Sequence, residues 1–543
     1  MKKHNVIKVV LVTILLFLLL SWILPAAYYS GEYVDQGRVQ MGLFDLFNYP
    51  LTAVAYFGYI AYFLILVGGF YGILYKIPAY RTLLERIVEK AKGKETICLS
   101  IMIVLISLLV SVCGVHIAFA LFIPFVVSII LMLGFDKVTA LFVTVGSISA
   151  GLIGSTYAYN NLSVLTQTLS LKLDYNIGVR FIILLVGIVL VIFNTIMYNK
   201  SQKIGKVKVV SKKEEKEEEK EMKEEKVVVS ENKKETVKAN NKKSSSKSNS
   251  KGKSSSNKKS TTKSSKTRKS VNKAALKDDE VIVIKDNTKD YLIPEKVNKD
   301  AKVLPFIIIF GLLFILFVLA FIPWGDNGFK IKFFTDLTSN TQNFKLFGFP
   351  IFAKILGNVN AFGSWSVTDL FVPLFLTTLL LVIIYKVSFN DVIDGFLSGA
   401  KKAVVPAIVA ILMYTVLVIC TYHPFQLTIY KFILKMAKGF NVATTVFVGI
   451  LSSLFNSDMA YSFQSVVPYY MSVVNKVKDY SLVGVIFQSM YGLTALFAPT
   501  SLVLMATLSY IGVSYTEWMK KSWKLILELF AVLLIIFIIL ALV

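Results

Sequence analysis

The chain has 543 residues, 55% of them hydrophobic and 13% aromatic, with a mean hydropathy of +0.64. Its apolar residues come in runs of about 20, the length that crosses a hydrocarbon core of about 30 Å, which excludes a soluble enzyme and a soluble nucleic-acid binder. The formal charge of +25 names no polyanionic partner either, because 31 basic against 17 acidic residues lie between Lys200 and Lys302.

Taken in order, Lys2, Lys3 and Lys8 precede an apolar run at 9–27. Pro25-Ala-Ala-Tyr-Tyr is a poor cleavage pattern, so this run is predicted to be a retained first helix with its basic end in the cytoplasm. Further apolar segments follow at 54–75, 97–113, 117–134, 138–156 and 179–198. Beyond residue 302 they recur at 303–322, 368–386, 403–421, 441–456, 460–475, 482–500 and 522–542. Two stretches, 78–94 and 424–438, instead carry apolar residues on one helical face, the pattern of helices lying in a membrane interface. Cys98, Cys113 and Cys420 all sit inside apolar runs, with no CxxC or Cys/His cluster, so neither a disulfide framework nor a metal site is expected. No Walker A, HExxH or GxSxG pattern is present.

Residues 200–302 are Lys-, Ser- and Glu-rich, with almost no aromatic residues. They are predicted to be a disordered cytoplasmic linker between two transmembrane halves, 1–199 and 303–543, because such a composition cannot bury enough apolar surface to offset its ordering entropy. Local helix at 211–226 and a short strand at Val281-Ile-Val-Ile are the only structure anticipated there. Shifting the chain by 344 residues superposes the halves from about residue 79 onward: Phe119 falls on Phe463, Pro124 on Pro468, Ser128 on Ser472, Leu152 on Leu496 and Thr156 on Thr500. Counting crossings from a cytoplasmic N-terminus puts the two repeats in opposite orientations, with loop 323–366 and the C-terminus outside. The fold class expected is an all-α polytopic membrane protein of two inverted-topology repeats, with re-entrant hairpins, broken helices and about 12–13 membrane segments, the plan of secondary transporters.

Particular stretches sharpen this. WILPAAYYSGEY at 22–33, GLFDLFNYPL at 42–51, LILVGGFYGILYKIPAY at 64–80 and GLIGST at 151–156 resemble one carrier family, as do FNDVIDGFLSGAKK at 389–402 and FQSMYGLTALFAPTSLVLMATLSYIGVSYTEW at 487–518. The family is the C4-dicarboxylate anaerobic carrier-like (YfcC-type) family of the ion transporter superfamily. The resemblance implies secondary transport of dicarboxylates or amino acids by a domain with two re-entrant hairpins moving against a scaffold. The chain departs from the family at the hairpin tips: Cys113-Gly114 replaces paired glutamates, Asp458-Met459-Ala460-Tyr461 replaces a Ser/Gly-rich run, and Tyr491 replaces an Asp. The missing acids tip the expected substrate slightly toward a cation or zwitterion.

Polar residues inside apolar segments are costly unless they face a cavity or a partner. Ser155, Thr156, Asn160 and Asn161, after the small-residue run 146–151, read either as close helix packing or as an unwound stretch offering backbone groups to a solute. The repeat places Thr500 and Ser501 at the equivalent break, and Asn456, Ser457 and Asp458 at the second hairpin tip. These residues, with Gln488, are the candidate substrate-binding set. Asp458 and His116 are the candidate ion-coupling groups, with Asp458 as the main buried anion. Glu528 is expected to pair with Lys524 one turn earlier.

The function expected is a secondary active carrier, ion-coupled or exchanging, of an amino acid or C4-dicarboxylate. A non-transport membrane scaffold and a lipid- or polymer-handling membrane enzyme are the alternatives. No cofactor is expected beyond Na+ or H+ as coupling ion. The expected partners are a small organic solute and the lipid bilayer, not nucleic acid, with a homodimer left open. The expected location is a bacterial plasma membrane.

Overall fold

The computed structural model describes residues 4–114, 116–201, 290–295, 301–326, 328–357, 359–437, 440–456, 458–473 and 479–542. Ser457, the 211–226 stretch and Val281–Ile284 lie outside the described residues. The chain is an all-α polytopic membrane protein: among the described residues, eight helices are long and apolar enough to cross a bilayer. The other expected crossings are shorter or interrupted helices, because Gly, Pro and hydroxyl residues break them.

The first half begins with α1 (His4–Ile23), α2 (Asp45–Leu74), α3 (Pro78–Ala91) and α4 (Glu95–Cys113). The chain then turns at Gly114 into a 3-10 turn and α5 (Ile123–Met132). Next come α6 (Lys137–Leu141), a π-turn at Phe142–Gly146 and α7 (Ser147–Ile153), then a non-helical break, α8 (Tyr159–Thr168) and α9 (Ile177–Ser201). One addition was not anticipated: a two-stranded antiparallel hairpin, β1 (Ala26–Tyr29) and β2 (Tyr33–Gly37), turning at Gly31.

The second half has α10 (Leu304–Phe321), α11 (Lys332–Asn343), α12 (Ile351–Leu356), α13 (Phe371–Ile384) and α14 (Phe389–Tyr422). It continues with α15 (Gln426–Met436), α16 (Val442–Phe455), α17 (Met459–Val473), α18 (Tyr480–Thr494), α19 (Leu502–Ile511) and α20 (Tyr515–Leu542). From α2 onward these bounds repeat those of the first half at nearly the same 344-residue spacing, Asp45–Leu74 answering Phe389–Tyr422 and Ile177–Ser201 answering Tyr515–Leu542.

The two equivalent long helices, α2 and α14, form the closest helix pair and run antiparallel. Tyr49 stacks on Tyr422, Phe57 on Tyr414, and Gly68 and Gly72 meet Ala403, Gly399 and Gly395, so one chain's numbers rise as the other's fall. Backbones approach so closely that a Cβ at Gly72 would collide with the Gly395 carbonyl. In a bilayer, where water drives no helices together, such small-residue contact is a main source of association energy.

The amphipathic reading of 78–94 and 424–438 meets a helix in each place, α3 and α15. The hairpin region packs on α15 through polar contacts: Thr428 donates to the Pro25 carbonyl at 2.7 Å, and Lys431 stands 3.4 Å over the Tyr33 ring. One boundary needs correction. Residues 290–295, inside the stretch read as a disordered linker, are ordered, with Leu292 and Ile293 only 1% and 4% exposed. An aliphatic pair beside Tyr291 supplies apolar surface that the flanking Lys/Ser-rich sequence lacks.

Candidate functional site

The first break, Gly154–Ala158, strips backbone carbonyls of helical partners inside a buried environment, where each orphan costs several kcal/mol in order of magnitude. Side chains from three elements satisfy them. Ser111, at the end of α4, donates to the Gly154 carbonyl at 2.7 Å, and Ser489 of α18 donates to that of Ile153 at 3.1 Å. Arg180 of α9, fully buried, donates through Nε to the Ser155 carbonyl at 2.7 Å and through Nη2 to that of Thr156. Its Nη1 reaches the carbonyls of Leu173 and Tyr175 at 2.6 and 3.0 Å, and the guanidinium lies 4.3 Å over the Tyr175 ring. Gln488 closes the circuit: its Oε1 accepts from the Tyr175 hydroxyl at 2.7 Å while its Nε2 donates to the Ser155 carbonyl at 3.2 Å.

Pro499 cannot continue a helix, and the second break follows α18 around it. Here neutral donors do the same work. Trp518 Nε1 donates to the Leu496 carbonyl at 2.7 Å, the Tyr515 hydroxyl to that of Phe497 at 2.6 Å, and Ser501 to that of Ala495 at 3.0 Å. Ser501 also caps α19 by accepting from the Leu504 amide. The repeat holds to within one residue here: Thr156 donates to the Ser111 carbonyl at 3.2 Å, and its equivalent Thr500 donates to that of Leu454, one position before the residue equivalent to Ser111, at 2.9 Å. Each break is thereby tied to the first arm of its own half's helix–turn–helix.

The turns at the ends of those arms come together. Gly114, with φ +76°, takes a conformation that side chains rarely adopt, and a Cβ there would lie 2.9 Å from that of Ala158. Asn161 donates to the Gly114 carbonyl, joining α8 to the same turn. In the second half Asn456 donates to the Ser452 carbonyl at 3.0 Å and the Ser465 hydroxyl at 3.3 Å. Asp458 accepts from the Ala460 and Tyr461 amides at 2.9 and 3.2 Å, which makes it the N-cap of α17. Its carboxylate lies within electrostatic reach of His116, Tyr59, Tyr414, Tyr461 and Tyr491. The buried His116 Nδ1 has no hydrogen-bond partner among the described residues. Tyr59 and Tyr461 are exposed, so this group opens to the surface.

The structure therefore brings Ser155, Thr156 and Gln488 into one bonded group around Arg180, and Asp458 and His116 into a second beside it, while Asn161 is bonded to the Gly114 turn. Most of the predicted hydroxyls and amides are already bonded to backbone. Three expectations need correction. Asn160 is exposed and joins neither group, because α8 turns it outward. Asp458 is half-buried and capped instead of being a fully buried anion. Glu528 does not pair with Lys524: it accepts from Asn194 of α9 at 2.6 Å, while Lys524 is exposed beside the Trp523 ring. Sequence reasoning passed over Arg180 and the tyrosines. The signal for Arg180 was its charge inside an apolar segment, whereas tyrosines in apolar helices look like packing. Among the described residues no three His, Cys, Asp or Glu side chains are grouped to hold a metal.

The chain matches the model of the C4-dicarboxylate anaerobic carrier family over residues 53–240 and 294–543. It belongs to that family. No curated protein and no solved structure gives a significant match. Membership makes the chain a multi-pass carrier of the membrane, and a carrier's cargo is a small solute. Both broken segments and both turns described above fall within the matched residues, so the site belongs to the part of the chain that the family shares.

Proposed function

We propose that the protein is a secondary active carrier of a small dicarboxylate, coupled to an ion or working by exchange, in a bacterial plasma membrane. Its two halves act as inverted repeats whose hairpins are re-entrant. The antiparallel packing of α2 against α14 supports the inversion, since equivalent helices crossing in the same sense would run parallel. The solute is bound where the first break and the two turns meet, with Asp458 and His116 as the ion-coupling pair.

The observation that carries this reading is Arg180. Among the described residues no carboxylate lies within ion-pair distance of it, Asp174 acting on it only through space, yet an arginine stays charged and a buried charge is expensive. Neutral donors satisfy the equivalent carbonyls at the second break, so bonding alone does not require a cation at the first. A retained positive charge there attracts an anion entering beside it. A second reading, an amino acid with its ammonium on Asp458 and its carboxylate toward the break, is favoured by the half-buried carboxylate.

Uptake into proteoliposomes of labelled fumarate, succinate and a panel of amino acids, with and without Na+ and proton gradients, separates the two. Fumarate or succinate uptake competed by the other acid is the expected result. Uptake of amino acids alone would establish the second reading, and no uptake of any of them under any gradient would sink both.

A further inference from the structure

At the end of α2 an internal peptide occupies a site built for it. Residues Asp290–Glu295 return from the Lys-rich stretch and touch six elements in as many residues. The Leu292 carbonyl accepts from the Tyr75 hydroxyl at 2.8 Å and from Ser128 of α5 at 2.7 Å. The Pro294 carbonyl accepts from Arg81 of α3 at 2.7 Å, and the Tyr291 carbonyl from Lys402 of α14 at 2.8 Å. The Tyr291 hydroxyl donates to the Tyr510 carbonyl at the end of α19 at 2.8 Å, and Asp290 pairs with Lys137 of α6 at 2.8 Å. Lys137 also stands 4.7 Å over the Tyr291 ring. A segment docked by chance on a lipid-facing wall would not meet this many directed donors with both aliphatic side chains buried.

These partners fall into two groups. Tyr75 caps the end of α2, and Arg81 and Lys402 belong to α3 and α14, so this group is the close-packed pair and its neighbour. Ser128, Lys137 and Tyr510 belong to the elements that carry the first turn and the two broken helices. Between the same groups lies a cavity of about 40 Å³, lined on one side by Leu64, Val67 and Pro406 and on the other by Ile123, Thr507 and Tyr510. Protein interiors are otherwise close-packed, and a seam with a void is where two bodies can slide into a second packing. Tyr510 lines the void and also accepts the Tyr291 hydroxyl, so the peptide sits at the mouth of the seam.

We propose that Asp290–Glu295 is an intramolecular strap, a peptide ligand of the carrier's own seam, which pins the α2–α14 pair to the turn-and-broken-helix group and must release before the two move apart. Its consequence for transport rests on the carrier reading above; the strap itself does not. Because the strap ends the long charged stretch, whatever pulls on or binds that stretch acts on the seam through it.

The test uses the full-length protein in nanodiscs, with Cys98, Cys113 and Cys420 replaced by alanine and Thr507→Cys as reporter, read as its rate of reaction with a water-soluble maleimide. The reporter should react slowly. Adding Tyr291→Ala with Leu292→Ala should speed it at least about five-fold, the factor corresponding to one hydrogen bond's net contribution. Lys137→Ala, which removes the ion pair and the cation over the Tyr291 ring but leaves Tyr291 and Leu292 in place, should give a smaller rise in the same direction. A Leu529→Cys reporter, buried in α20 away from the seam, should not respond. Unchanged labelling at Thr507→Cys in both strap variants would overturn the proposal, and so would an equal rise at Leu529→Cys. Maleimide labelling involves no solute, so failure to transport dicarboxylates would leave this result standing.

Discussion

Arg180 concentrates the chemistry of the first break in one side chain. Its planar fork serves four carbonyls, a geometry that a lysine's single ammonium cannot reproduce. Arg180→Lys is expected to reach the membrane and lose uptake about ten-fold or more, while Arg180→Ala, leaving several buried carbonyls unpaired at roughly 1–3 kcal/mol each, should lower the melting temperature sharply in detergent. Equal melting temperatures for wild type and Arg180→Ala would show that other groups hold the break. Asp458 offers a cleaner separation of charge from structure. Asparagine caps helices as well as aspartate does, so Asp458→Asn keeps the α17 cap and removes only the charge. Uptake by this variant should lose its dependence on the imposed ion gradient at normal membrane abundance; wild-type rate and ion dependence would reduce Asp458 to a cap.

Helix pairing sets the constraint at the next scale. Along α2 and α14 the glycines are there for contact, and an added methyl at Gly72 meets backbone with no flexible neighbour to yield. Gly72→Ala should destabilise the protein by about 1–3 kcal/mol, the usual result of overpacking. Gly178→Ala, at the start of α9 with open space around its Cβ, should be neutral or slightly stabilising, since alanine is the better helix former. Thermal unfolding of the two variants side by side checks the pair. Similar shifts for both would mean that the α2–α14 interface is looser than its geometry. Element by element, the helix positions were legible in the apolar runs, and so was the location of each break. The β1–β2 hairpin was not, because strands of four and five residues carry too little periodicity to stand out beside long helices. The docking of 290–295 was hidden as well: its burial depends on donors from helices more than 100 residues away in sequence, such as Arg81, Ser128 and Lys402.

For the whole molecule, the proposed inversion of the two halves predicts where the ends lie. A cysteine added after Val543 should react with an impermeant maleimide from outside intact cells, while one at Lys2 should not; the reverse pattern would refute the inverted arrangement. The strap divides the connecting stretch into parts with different expected effects. Deleting residues 211–285 should leave transport within about two-fold, because closing a loop costs only about 0.6 kcal/mol per doubling of its length. A deletion extended through Glu295 should instead change the transport rate, since it removes the contacts to Tyr75, Ser128 and Arg81. Identical kinetics for the two deletions would leave residues 290–295 without a part in transport.

Hydropathy and the 344-residue repeat are properties of the chain read one residue at a time, and they were enough to determine the membrane class, the helical segments and the two breaks, while the resemblance of stretches such as 22–33, 64–80 and 487–518 carried the family. They sufficed because a bilayer penalises every unpaired backbone group, which leaves few structures for an apolar run of given length. Which polar side chain meets which was decided only by the tertiary structure. Ser155 and Thr156 looked like binding groups and proved to be bonded to their surroundings, Asp458 looked like a buried anion and proved to be a helix cap, and Arg180, which the sequence did not single out, proved to be buried and bonded to four carbonyls. Hydrogen bonds are satisfied across space between residues that sequence separation does not relate. The distribution of bonded and unbonded polar groups, on which the site depends, therefore emerged only when the helices were packed.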